Sequence, residues 1–237
     1  MKYLKINYWL RKIYISKLFQ KIILGENKAR KLVFKTIYST NHWNKYQQYD
    51  PNINSVSGPG SNPKTLQTNK LIKNLSNFIE NYDIKSLVDA PCGDCAWVKE
   101  IFLQKNIKYT GIDIVEELIA LNKKRFPEKN VIFLCDDILE MKKLPDCDFL
   151  ILRDFIIHLP INNILKLINI IKQSPVKYFG INSYSSIKEN KEILIGQHRK
   201  VNLFIDPFDF KNYFTKFKDC GENPNTDDNE FFIFKNI

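Results

Sequence analysis

From Lys85 onward the chain alternates short apolar runs with stretches in which apolar residues return every three or four positions. A short apolar run bounded by polar or glycine positions suits a buried strand, and the longer spacing suits a helix with one buried face. The pattern predicts strands over residues 86–89, 109–113, 131–135, 149–152 and 176–181, with two more near 213–217 and 230–234. Helices are expected over 96–105, 116–126 and 162–172, and ahead of the first strand over 66–81. Strands separated by helices imply right-handed crossovers and a mostly parallel sheet with helices on both faces.

The first 64 residues read differently. Leu10, Tyr14, Leu18 and Ile22 recur at four-residue spacing among lysines, which predicts a basic amphipathic helix over residues 3–24, followed by a shorter helical stretch over 29–38. Residues 39–64 are rich in Asn, Ser, Gly and Pro and lack periodicity. An irregular stretch of that length is a functional loop or a linker. Its end, Ser57-Gly58-Pro59-Gly60-Ser61, has two positions without a side chain and suits close approach to a ligand, a plain hinge being the alternative. Residues 1–64 are therefore expected to form a basic extension with a covering loop, and residues 65–237 the main domain.

Charge sharpens this division. The formal net charge is +10 over 237 residues. Residues 1–45 hold 11 Lys or Arg against the single acid Glu26, and the remainder is balanced. The basicity thus concerns what the N-terminal segment touches: water, with the helix docked on the main domain, an anionic membrane surface or protein partner, or, less favoured, nucleic acid. No apolar stretch reaches the roughly 18 residues of a membrane span, and Lys5, Arg11, Lys12, Lys17 and Lys21 interrupt any signal-like core. A cytoplasmic protein is expected, with peripheral membrane attachment as a variant. Five cysteines without framework spacing suit free thiols, and with only three histidines no metal site is expected.

In open α/β sheets ligands bind beyond the carboxyl ends of the strands. The first strand runs into Asp89-Ala90-Pro91-Cys92-Gly93-Asp94, where Gly93 permits close backbone approach and two acids favour a ligand with a cationic part over a pyrophosphate. The second ends in Gly111-Ile112-Asp113, whose carboxylate is placed to accept ribose hydroxyls. The third ends in Cys135-Asp136-Asp137, where a carboxylate is able to accept from an exocyclic adenine amine. After the fourth come Arg153, Asp154 and His158; the last two, four residues apart, are candidates for an Asp-supported histidine base. Each acid taken singly is equally a helix cap, and the histidine equally a structural one.

Together these residues resemble the class I S-adenosylmethionine-dependent methyltransferases. The first motif of that family is similar to Val88 through Cys95, although Pro91 and Cys95 stand where its first and last glycines fall and only Gly93 matches. A narrower bacterial and viral group looks closer, with a tryptophan, an SGxGS turn, and DAPCGD, G[IV]DI and RDxxxHL motifs, here Trp43, Ser57 to Ser61, Asp89 to Asp94, Gly111 to Ile114 and Arg153 to Leu159. The resemblance implies a Rossmann-like fold with a seventh, antiparallel strand and S-adenosylmethionine as cofactor. It places Trp43, Ser57, Gly58, Asp89, Ala90, Pro91, Gly93, Asp94, Asp113, Ile114, Asp136, Asp137, Ile138 and Arg153 at the cofactor and His158 or Asp154 at the reaction. It gives Cys92 and Cys95 a steric role in the cofactor turn. Methylation of a small-molecule or glycan acceptor, most simply a sugar hydroxyl, is the implied activity. An RNA methyltransferase using the basic N-terminus and a non-catalytic scaffold are the alternatives. The polar stretch after the fifth strand should overhang the same edge, which makes His198, Arg199, Asn202, Asp206 and Phe208 candidates for acceptor binding.

Overall fold

The computed structural model describes residues 25–44, 55–104, 107–219 and 228–236. Seven strands form one sheet: β1 (Ser86–Asp89), β2 (Lys108–Asp113), β3 (Val131–Cys135), β4 (Phe149–Leu152), β5 (Tyr178–Tyr184), β6 (Thr215–Lys218) and β7 (Asn229–Lys235). Their order is β3-β2-β1-β4-β5-β7-β6. The pairs among β1 to β5 are parallel, and β7 runs antiparallel to both β5 and β6. The order therefore reverses between β1 and β4, which opens a crevice at their carboxyl ends.

Alternation along the strands builds two cores. Leu87, Phe149 and Phe231 face one cluster, shared with the helices α2 (Leu66–Asn81), α3 (Lys99–Gln104) and α4 (Glu116–Arg125). Their neighbours Val88, Leu150 and Phe232 face the other, where α5 (Ile161–Lys172) packs through Ile164, Leu167 and Ile171. Thr65 caps α2, its hydroxyl accepting from the Thr68 amide at 3.2 Å. Leu71, Leu75, Phe78 and Ile79 form the buried stripe of that helix, each contributing roughly 1.5–3 kcal/mol of apolar burial. Acids in the first turn of α4 and bases in its last complement the helix dipole.

Gly180 shows how tightly the centre is filled. A Cβ there would lie 2.3 Å from the Phe231 ring and 3.0 Å from that of Phe149, and both rings are fully buried with nowhere to retreat. Gly180→Ala is expected to lower stability by about 1–3 kcal/mol, measured by urea unfolding. An unchanged midpoint would mean that the sheet yields more readily than its packing indicates.

Several boundaries differ from the sequence expectation, and two have a visible cause. Helix α3 starts at Lys99 and not at 96, because Asp94 turns its carboxylate onto the Ala96 amide at 3.2 Å and Cys95 takes a positive φ of 55°. Strand β5 continues to Tyr184, since Asn182 and Ser183 are fully buried despite their polarity. Ahead of the sheet, α1 spans Glu26–Ser39, longer than expected. The basic helix expected over residues 3–24 and Cys220 lie outside the described residues. Among the described residues no helix is long and apolar enough to cross a membrane, and no group of three or more His, Cys, Asp or Glu is placed to hold a metal ion.

Candidate active site at the sheet crevice

The ends of β1 to β4 open into one cavity. After β1 the chain turns through Ala90, Pro91, Cys92 and Gly93, all of which line it. Gly93 has φ 53°, and a Cβ there would fall 2.2 Å from the Ser57 hydroxyl oxygen. Its amide donates to Asp113 Oδ2 at 2.9 Å, and its carbonyl accepts from Asn122 Nδ2 at 2.7 Å. The other Asp113 oxygen accepts from the Val115 amide at 2.9 Å. Asp113 thus fixes the turn while lining the cavity beside Ile114. Burial pushes its pKa up to about 6 against the pull of these amides.

Beyond β3, Asp136, Asp137 and Ile138 line the same space. Asp136 accepts from the Asp137 amide at 2.8 Å, and Asp137 from the Leu139 amide at 3.0 Å. Beyond β4, Asp154 adopts φ 52° and is anchored by its amide, which donates to Asn182 Oδ1 at 2.9 Å. Burial raises its pKa to about 6, though the Arg153 charge opposes the rise. His158 closes this wall at the end of a 3-10 turn, Ile156–His158.

The expected Asp154–His158 partnership is not the one the structure builds. His158 Nδ1 lies 3.0 Å from the carbonyl oxygen of Gln197. The following chain grips the turn as well, with the Gly196 amide donating to the His158 carbonyl at 3.0 Å and that of Arg199 to the Ile157 carbonyl at 3.0 Å. Burial, reinforced by the neighbouring His198, Arg199 and His42, pushes the His158 pKa down to about 3, and the Gln197 carbonyl offsets this only in part. The imidazole is therefore neutral, and with Nδ1–H donated to Gln197 its Nε2 keeps a free lone pair.

The crevice has a roof drawn from the N-terminal side. Arg30, Phe34 and Tyr38, one turn apart along α1, line it, and Trp43 and Ser57 extend it. The Trp43 and His158 rings lie 4.3 Å apart. Residues 55–57 dock onto the first turn: Ser55 Oγ and the Val56 amide donate to the two Asp94 oxygens at 3.0 and 2.9 Å, and the Asp94 amide donates to Ser57 Oγ at 3.1 Å. The adjacent stripe of α1, Ala29, Val33 and Ile37, packs on Ile195. Arg30, Phe34 and Tyr38 were not identified from sequence; the second four-residue stripe in this helix, starting at a lone arginine, was the available signal.

Several candidates have other work. Asp89 is buried behind the cavity and accepts from the Tyr109 hydroxyl at 2.8 Å. Asp94 holds the 55–57 segment, and Gly58 leaves room for Trp43, whose Cβ would stand 3.0 Å from an added one. Arg153 borders the cavity but spends its guanidinium elsewhere: Nε and Nη2 donate to Asp219 at 2.8 and 2.7 Å, and Nη1 donates to the Gly60 carbonyl at 2.7 Å. None of the acceptor candidates lines the cavity. Arg199 donates to the Lys191 and Ile156 carbonyls, and Asn202 to that of Ile187. Asp206 is exposed, and Phe208 packs on the core. His198 and Arg199 stay near, the His198 ring 5.7 Å from that of His158 and Arg199 bonded to the turn that carries it. Cys92 and Cys95 are free and buried, with Cys92 on the cavity wall.

The match of residues 88–173 to a methyltransferase domain model covers β1 through α5. The chain is also similar in structure to the N-methyltransferase NodS from Bradyrhizobium japonicum WM9, solved with S-adenosylhomocysteine, at TM-score 0.60, 10% identity, 84% of this chain and 97% of that one. Magnesium protoporphyrin IX methyltransferase from Synechocystis PCC 6803, solved with S-adenosylmethionine, gives TM-score 0.59 at 10% identity, covering 86% and 95%. The PH0226 protein of Pyrococcus horikoshii OT3 gives 0.53 at 14% identity, covering 73% and 93%. No curated protein matches. The structural similarities concern the fold: the chain has a class I methyltransferase fold, and its residues 88–173 match a methyltransferase domain.

Proposed function

We propose that this methyltransferase uses S-adenosylmethionine to methylate a hydroxyl of a small molecule or glycan, with His158 taking up the hydroxyl proton. The observation that carries this reading is the make-up of the crevice: Asp113, Asp136 and Asp137 line it together with Asp154 and the neutral His158. The donor set fits the cofactor, since hydroxyl and amine donors meet carboxylates and a sulfonium with an ammonium group suits an acidic cleft. Asp113 would hold the ribose, Asp136 or Asp137 the adenine edge, and the backbone at Gly93 the amino acid portion. When bound, the cofactor supplies an electrophilic methyl carbon.

The protein's own part is alignment and proton removal. His158 Nε2 is the acceptor for the hydroxyl proton, oriented by the Gln197 carbonyl. Its low basicity is offset because the imidazolium replaces a positive charge that the reaction removes, so the charge in the cleft stays constant. Phe34, Tyr38 and Trp43 cover the crevice, which favours a small group or a glycan end over a duplex. The meeting of Trp43, Ser57, Gly93, Asp113 and His158 in one cavity supports assignment to the group that has the SGxGS, DAPCGD and RDxxxHL motifs.

Calorimetric titration with S-adenosylmethionine and S-adenosylhomocysteine, followed by a screen of hydroxylated metabolites for methyl acceptance, tests the reading. Failure of the folded protein to bind either would overturn it. His158→Ala is expected to slow transfer about 10²- to 10⁴-fold with cofactor affinity unchanged; lost affinity at unchanged kcat would make His158 a binding residue instead. With its pKa near 3, His158 contributes no limb to a pH profile above pH 5. An acid limb between about 6 and 7 is expected from Asp113, Asp154 and the neighbouring Asp89, all raised by burial.

A further inference from the structure

Arg30 is the most deeply buried cation of the described chain, 1% exposed, yet it stands on an otherwise amphipathic helix where water was within reach of an arginine one position away. A charge is held in such a place only by well-formed pairs. Its Nε donates to Asp137 Oδ2 at 2.6 Å, and its Nη2 donates to Glu140 Oε1. Asp137 lines the cavity at the end of β3, and its other oxygen is fixed by the Leu139 amide at 3.0 Å. The carboxylate is thereby held on both oxygens, once from its own loop and once from a helix 107 residues away in sequence.

We propose that Arg30 is a positioning residue that sets the nucleobase preference of the cleft. Arg30 fixes the plane of the Asp137 carboxylate, so that the remaining lone pairs are presented to a donor. A ligand edge that brings an amine is accepted there, and one that brings a carbonyl oxygen meets a carboxylate and is rejected. Glu140, which does not line the cavity, orients Arg30 in turn. The inference rests on the cofactor reading above and deepens it: discrimination between adenine and its deaminated counterpart is assigned to α1, outside the sheet and outside the matched domain segment.

The test is calorimetric binding of S-adenosylhomocysteine and of S-inosylhomocysteine, the same ligand with a carbonyl in place of the amine. The wild type is expected to prefer the adenosyl ligand by at least tenfold. Arg30→Met is expected to weaken the adenosyl ligand about tenfold or more and to bring the ratio close to one, and Asp137→Asn to do the same. The double variant should be no worse than either single one, because the two residues act as a unit. Glu140→Gln, which leaves the cavity wall intact, should reduce the ratio partway and keeps the proposal testable if Arg30→Met does not fold. Wild-type binding with an unchanged ratio in Arg30→Met, or in Glu140→Gln where that is the variant that folds, would overturn the positioning role while leaving the cofactor reading in place. Absence of wild-type binding to either ligand would overturn the cofactor reading and the inference with it.

Discussion

Asp113→Asn is expected to weaken S-adenosylhomocysteine binding by about two orders of magnitude, the largest loss from any single conservative change in the cleft. Charge-assisted hydrogen bonds contribute roughly 1.5–3 kcal/mol each, and this carboxylate is proposed to accept from the ribose. It already accepts from the Gly93 and Val115 amides, so an amide in its place turns an NH₂ group toward one of those donors and loosens the turn that shapes the cleft. The pH dependence follows from its elevated pKa. Burial holds Asp113 at about 6, and the ligand binds the ionised form. Affinity should therefore be full above pH 7 and fall toward tenfold per unit below 6. The variant should bind weakly with a shallower slope, retaining only the share from Asp154 and Asp89. An unchanged dissociation constant in calorimetry would remove Asp113 from the ligand site.

The second large effect concerns stability. Arg153→Met leaves Asp219, fully buried, without its bidentate partner and releases the Gly60 carbonyl. Removing one member of a buried pair costs about 3–5 kcal/mol, which for a chain of this size lowers the melting temperature by roughly 6–20 °C. Asp219 retains Asn182 Nδ2 at 3.0 Å and Gln67 Nε2 at 3.2 Å, two neutral donors that compensate a buried charge only in part. Replacing both partners, Arg153→Met with Asp219→Leu, should recover part of the loss, since the penalty comes from the orphaned carboxylate. A single variant as stable as wild type, combined with lost cofactor affinity, would return Arg153 to the ligand.

What local pattern could reveal follows from which contacts are local. The bounds of β1, β3, β4 and α2 agree with the apolar periodicity to the residue, because burial of their own side chains decides them. Strand β5 ran past its apolar run because Asn182 is satisfied by Asp219 and Asn229, 37 and 47 residues away. No window of sequence contains those partners. The same holds for the cleft. Asp113 and Asp137 were legible as acids at strand ends, whereas the ion pairs of Arg30 and Arg153 span separations of 107 and 66 residues. Arg153 consequently read as a ligand contact when its donors were already engaged. His158 was legible as a polar residue in an apolar run, and its true partner, the Gln197 backbone, carries no side-chain signature.

The α1 roof has a consequence for how such a protein diversifies. The sheet and the turn after β1 are constrained by packing at nearly every position, as Gly93 and Gly180 show. The covering helix meets them through a handful of side chains, with Val33 and Ile37 against Ile195 and Arg30 against one loop. Selection can therefore act on two nearly separable inheritances, a conservative floor that performs the transfer and a more permissive cover that decides what is admitted. With Arg30 left in place, substitutions along residues 31–44 would change what the crevice admits at less risk to the fold than changes in the sheet.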